Sequence, residues 1–479
     1  MSRQLPVIAL LSVLACTSAS LVMAQQESPQ AVLQRASDAM ACSKAGDRVL
    51  HYEFTYSDSQ NYQSERTYPP YIDLMTTVEA WFSPRSGVLR TDSQQSFPGI
   101  RMPKQTALYA DHAGVNIAQD HATRIPQSEL KLRNLNAWAV LYDWMHTANV
   151  HVVGRENYRD YPRIVLARAT AAGDQRLFLD PKSGLPVKLD YTEAHYLWGQ
   201  RHIEYVYGLW QLQQDLLVNA AAFRLADGEL EISATLADGN VIANDPALKL
   251  QMPALSEPVE IVPLFLRPTP PKIVQVTPTT YLLSNRGFTE AVTLAGNEIY
   301  IFDATQGDER ARQDAAEIAR LFPGKHKINL VVTDLAWPHV AGVRYWVAQN
   351  ATIIAHPAAR AFLQAVVNRR WTLHPDALEK NRKSSQFHFV AVDHKTSFGT
   401  GKVELAPIDG IGSETVLMGF IPADHFLWSS DYIQTLSEPS QYAKEVLSAV
   451  RREGWQPQQA AAEHVALFEW NRILQLLGS

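Results

Sequence analysis

Two rhythms of apolar and polar residues run along this 479-residue chain, and they change over near position 250. Val32, Leu33, Ala36 and Met40 recur at helical spacing, which predicts one amphipathic helix over 31–40. From Val49 onward, short alternating or apolar runs are separated by turn signals, as strands are. Val78-Glu-Ala-Trp-Phe82 runs into Ser83-Pro84-Arg-Ser-Gly87, and Ile164-Val-Leu-Ala-Arg168 into Ala-Thr-Ala-Ala-Gly173. Arg176-Leu-Phe-Leu-Asp180 is followed by the hairpin turn Pro181-Lys-Ser-Gly184, then by Leu185-Pro-Val-Lys-Leu-Asp-Tyr191. Positions 202–207 alternate again, and 134–146 is the one helix-like interruption. This grammar predicts an α+β unit: a curved antiparallel sheet with one or two helices packed in its concavity.

Pro253, Pro258, Pro263, Pro268, Pro270 and Pro271 then punctuate a stretch that no central strand or helix sustains, because proline lacks the N–H both require. The second rhythm begins beyond it. Strand-like segments at 280–284, 291–294, 298–303, 328–332 and 352–355 alternate with helix-like ones at 309–321 and 343–349. That alternation predicts sheets covered by helices. The expected division is a leader over 1–24, an antiparallel β-rich domain over 25–250, a Pro-rich linker over 251–272 and a second domain over 273–479.

Composition narrows the partners. With 46% hydrophobic and 19% charged residues and a net charge of -6, the chain offers no field for a polyanion, so no nucleic-acid partner is expected. Arg3, an apolar core over 5–15 and the small-x-small site Val22-Met23-Ala24 read as a secretory signal, implying export to a periplasm. That core is too short to span a bilayer, and no later segment reaches the required length. Val13-Leu14-Ala15-Cys16 offers a second reading, a lipoprotein anchored through Cys16. Once the leader is removed Cys42 stands alone, which excludes an internal disulfide and a thiolate metal cluster. There is no G-x-S-x-G elbow, no P-loop and no C-x-x-C pair.

The candidate chemistry lies after the apolar run 328–332. Thr333-Asp334-Leu335-Ala336-Trp337-Pro338-His339-Val340-Ala341-Gly342 occupies a strand–loop–helix frame, and it resembles the T-H-x-H-x-D-H-x-G-G loop of the metallo-β-lactamase superfamily. Further landmarks follow in that family's order. They are Ile299-Tyr-Ile-Phe-Asp303, Ala351-Thr-Ile-Ile-Ala-His356, Ile411-Gly412-Ser413-Glu414, Phe426-Leu-Trp-Ser-Ser-Asp431 and Glu463-His464-Val465. The resemblance covers roughly the last 200 residues and implies an αβ/βα metallo-β-lactamase-like sandwich.

The same resemblance implies a degenerate metal site. Asp334, Ala336 and Gly412 stand where three histidines of one zinc site belong, and Pro338 replaces the motif aspartate. His339, Asp431 and His464 keep one half-site, with Asp334 as a fourth donor. Three such donors plus water suit one catalytic zinc, and their hard oxygens also admit manganese or iron. The implied function is a mono-metal hydrolase of an ester, thioester, lactone or phosphoester, with Asp431 as the proton acceptor. The alternative is a pseudoenzyme without metal that binds a ligand, lipid or protein partner in the cell envelope. The phrase Leu179-Asp-Pro-Lys-Ser-Gly-Leu-Pro-Val-Lys188 resembles the half-barrel of periplasmic lipoprotein carriers, which implies a lipid ligand on the N-terminal sheet. The aromatics Trp81, Tyr196, Trp198, Tyr205, Tyr207 and Trp210 are read instead as that sheet's core.

Overall fold

A computed structural model describes residues 27–60, 71–97, 100–110, 113–117, 122–125, 130–170, 173–253, 267, 270–411 and 415–478. The leader, Cys16, Gly412 and Pro258, Pro263 and Pro268 lie outside the described residues.

The first rhythm folds as one large antiparallel sheet of 14 strands, with Val49–Ser59 paired between Asp73–Phe82 and Glu229–Ile242. Two helices cover it. Pro29–Ala39 starts on Ser28, whose hydroxyl accepts from the Ala31 N–H, and Ala137–His146 starts on Asn136, which accepts from the N–H groups of Trp138 and Ala139. Val32, Leu33, Ala36 and Met40 meet Trp138, Leu141 and Trp144 over Leu50, Tyr52, Leu166 and Tyr205 of the sheet. The predicted hairpin at 181–184 joins Gly173–Leu179 to Pro186–His195, with Gly184 at φ +78°. A shallow cleft opens on this unit, lined by Ala220, Ala221, Ala222 and Ala234 with Tyr52 and Leu135.

The second rhythm folds as two sheets face to face. Seven strands run from Lys272–Gln275 to His388–Ala391, with Glu298–Phe302, Lys327–Val331 and Thr352–Ala355 parallel at the centre. Six strands from Thr396–Phe398 to Phe468–Glu469 make the other sheet. Alternation along the strands builds three layers of core. Ile299 and Ile301 point to the helices Asp308–Leu321 and Val343–Ala348, whereas Tyr300 and Phe302 point to Leu405, Phe426 and Trp428 of the facing sheet. Met418, Phe420 and Leu427 look outward to the helix Gln441–Glu453. The layer order is helix, sheet, sheet, helix.

The two units meet at a turn. Tyr196 and Trp198 do not belong to the N-terminal core as expected, although Tyr205 and Tyr207 do. Trp198 packs edge-on against Trp337 and Phe362, both at 5.6 Å, and the guanidinium of Arg201 lies 5.3 Å from the Trp337 ring. The physical reason is that the hairpin end carries its apolar side chains past the sheet edge, where the helix layer of the second unit is the nearest apolar surface. Gly199, at φ +74°, allows this approach, since a Cβ there would stand 2.2 Å from the Trp371 ring.

Candidate metal centre

Loops from the C-terminal ends of both sheets converge at one edge of the sandwich. Asp303 follows Glu298–Phe302, Asp334 follows Lys327–Val331, Asp431 follows Phe426–Trp428, and Glu463 follows Gln459–Ala461. Main-chain bonds pin these loops together. The N–H of Leu417 donates to the Thr333 carbonyl at 2.7 Å, that of Glu463 to Ser430 at 3.1 Å, and that of Thr289 to Glu463 at 2.7 Å. Asp303 and Ser430 take left-handed backbone conformations, at φ +66° and +55°, without being glycine. Such strain is held only where the surroundings over-determine it.

His339 lies on the short helix Trp337–Val340 and is 1% exposed. Gly342 ends the loop with a turn so close to Ala304 and Ala311 that a Cβ would sit 3.0–3.2 Å from them. The Nδ1 of His339 contacts both oxygens of Asp334, at 3.0 and 2.9 Å, and lies 2.5 Å from Glu463 Oε2. A carboxylate only accepts, so Nδ1 carries a proton, and Nε2 is the nitrogen left for a metal when the ring gives up its second proton. His464 is oriented in the same way: its Nδ1 donates to the Gly287 carbonyl at 2.9 Å, and its Nε2 lies 3.5 Å from Asp431 Oδ1. Phe288 packs against both imidazoles, with centroids at 5.8 Å from His339 and 5.0 Å from His464.

Ligand-capable atoms of His339, Asp431, Glu463 and His464 all lie within 4.8 Å of one another. The structure therefore brings His339, Asp431 and His464 together. Asp334, expected as a fourth donor, is engaged on both oxygens by other groups. Its oxygens are taken by His339, by the Ala336 N–H at 2.8 Å and by the Ser430 hydroxyl at 3.2 Å. A carboxylate this saturated orients the histidine rather than facing outward. Behind it the Thr333 hydroxyl bridges Ser430 and Asp303, and Trp428 Nε1 donates to Asp303 at 2.9 Å.

Glu463 is not among the residues expected from sequence, where it stands only as the neighbour of His464. Its signal is a lone acid beside that histidine and after the buried run Ala460–Ala461–Ala462.

The centre carries more buried acid than base. Burial and the neighbouring Asp334 push Asp303 up to about 7. Burial, with Asp334 again, holds Glu463 well above the usual carboxylate range and also raises Asp431. Burial works against the charged form of Asp334 too, but the His339 charge holds it below its ordinary value. His339 is pulled down by burial and raised well above its usual value by Asp334 and Glu463. One buried imidazole faces Asp303, Asp334, Asp431 and Glu463, and Asp431 Oδ1 and Glu463 Oε1 have no hydrogen-bond partner. Buried carboxylates left in this state are costly unless a cation joins them. The donor set of imidazole nitrogens and carboxylate oxygens fits a divalent zinc, manganese or iron ion.

No family model matches the chain, and no curated protein matches it. Solved structures do. The chain is similar to the DIM-1 metallo-β-lactamase at 14% identity and TM-score 0.33, over 44% of this chain and 96% of that one. It is similar to the FIM-1 metallo-β-lactamase of Pseudomonas aeruginosa, solved in a mono-zinc form, at 12% identity and TM-score 0.33, over 44% and 94%. A LolA-superfamily protein from Nitrosomonas europaea is similar at 11% identity and TM-score 0.34, over 47% and 98%. The layer order described above stands on the strand pairings themselves.

Proposed function

We propose that this chain is an exported, mono-metal hydrolase of metallo-β-lactamase-like fold, acting on an ester, thioester, lactone or phosphoester. The observation that carries the reading is the cation-poor cluster of His339, Asp431, Glu463 and His464, buried at His339 and Glu463, in which Asp431 Oδ1 accepts no hydrogen bond. A divalent ion held there lowers the pKa of a bound water toward neutrality and polarises the scissile group. Asp431 accepts the proton of the attacking water through Oδ1, while Gln434 steadies its other oxygen at 3.0 Å. Asp334 and the Gly287 carbonyl fix the two imidazoles, and Phe288 packs against both rings.

Elemental analysis of the mature protein tests this. About one zinc, manganese or iron per chain, lost in a His339→Ala/His464→Ala variant, supports it. A metal-free protein after dialysis against each ion overturns it.

A second reading has its own observation. His339 is bracketed by Asp334 and Glu463 on one ring nitrogen, as a buried imidazolium in a purely structural cluster would be. The protein is then a non-catalytic binder, and the Ala-walled cleft of the N-terminal unit becomes the place for a lipid or other apolar ligand.

A further inference from the structure

We infer that Glu463 is itself a metal ligand, so that the centre is built from two histidines and two carboxylates. The inference rests on the metal reading above and adds a donor to it. Glu463 is wholly buried, and neither of its carboxylate oxygens accepts a hydrogen bond. The 2.5 Å approach of Oε2 to His339 Nδ1 is an ion pair without hydrogen-bond alignment, and that nitrogen is already engaged by both oxygens of Asp334. Glu463 thus shares His339 with Asp334, and its carboxyl also lies beside Asp303.

The backbone around Glu463 is fixed at both ends. Its N–H donates to Ser430, next to Asp431, and its carbonyl accepts from Thr289, next to Phe288. The main chain that carries the side chain is thus held beside the loop of Asp431. Asp303 and Asp334 lie against the same centre and make it richer in acid. A ligand role accounts for its depth, its orphaned oxygens and its place within 4.8 Å of the other donors. Because half the donors are then hard oxygens, manganese and iron(II) compete with zinc more strongly than at an all-histidine site.

The test is a cobalt(II) titration of the full chain, read by visible absorption and calorimetry, for wild type, Glu463→Gln, Glu463→Asp and His464→Ala. Thermal unfolding in chelator checks that each variant folds. The expected result is one cobalt per wild-type chain, with affinity weakened by about tenfold or more in Glu463→Gln. Its absorption bands should shift, and Glu463→Asp should fall between. Wild-type affinity and spectrum in both Glu463 variants, with loss only in His464→Ala, overturns the inference and leaves the metal reading standing. No cobalt uptake by wild type overturns both.

Discussion

Two buried charge clusters lie close together in the second unit, and they are built on opposite plans. Arg344 and Asp376 are each about 1% exposed, yet every polar atom of the pair is used. The guanidinium meets both Asp376 oxygens at 2.6 and 3.0 Å and donates to the carbonyls of Val366, Val367 and Arg369. Trp371 lies beneath it at 4.8 Å, and Asp376 also caps the helix Ala377–Asn381 through the Glu379 N–H. That cluster is neutral and closed. The His339 cluster buries His339 and Glu463 as deeply but opens to solvent at His464, and it has surplus acid and oxygens with no donor. Buried charge that serves structure is paired to completion, and buried charge left open marks a place for something else.

The largest expected effect of breaking this contrast is on the closed side. Arg344→Ala strands Asp376 and should cost about 3–5 kcal/mol in urea unfolding, with metal uptake per folded chain unchanged. On the open side, metal at a hundred times its Kd should raise stability by about 2.7 kcal/mol, seen as a rise in Tm that chelator abolishes. Asp431→Asn should lose that rise. In chelator the same variant should be more stable than wild type by about 1 kcal/mol, because a partly buried carboxylate oxygen that accepts no hydrogen bond is gone. A less stable Asp431→Asn would mean that the carboxylate is satisfied without metal.

The smallest effect sharpens the closed cluster. Burial, then the charge of Asp376, pushes Asp308 up to about 6. A carboxyl raised on folding binds its proton more tightly in the folded state. Its favourable contribution is therefore complete below its unfolded pKa of 3.8 and lost as pH rises through about 6. Asp308→Asn should stabilise the protein at pH 7 by less than about 1 kcal/mol, given screening at a partly exposed site. The difference should vanish below pH 4, and chemical denaturation at the two pH values measures it.

Much of the fold was legible because burial leaves its period in the chain. The expected helix 309–321 is Asp308–Leu321, and the expected strand 328–332 is Lys327–Val331. His339, Asp431 and His464 were legible as a set, and they do converge. Asp334 and Glu463 were not. Whether a carboxylate orients a histidine or stands open beside it depends on which neighbours saturate it: Ser430 and Ala336 donate to Asp334, whereas Glu463 accepts no hydrogen bond. Tyr196 and Trp198 misled for a related reason: an aromatic residue in a strand announces burial but not against which surface.

By itself the sequence determined the elements, the change from alternating strands to strand–helix alternation, and the residue types able to hold a metal. These follow from local spacing, since a side chain's face is set by 2.0- and 3.6-residue periods. Only the tertiary structure decided that Glu463 reaches His339 across 124 positions, that Asp334 turns inward, and that the turn at Trp198 docks on Trp337. Those outcomes depend on long-range packing and on the competition of buried polar groups for few partners, and no local pattern records either.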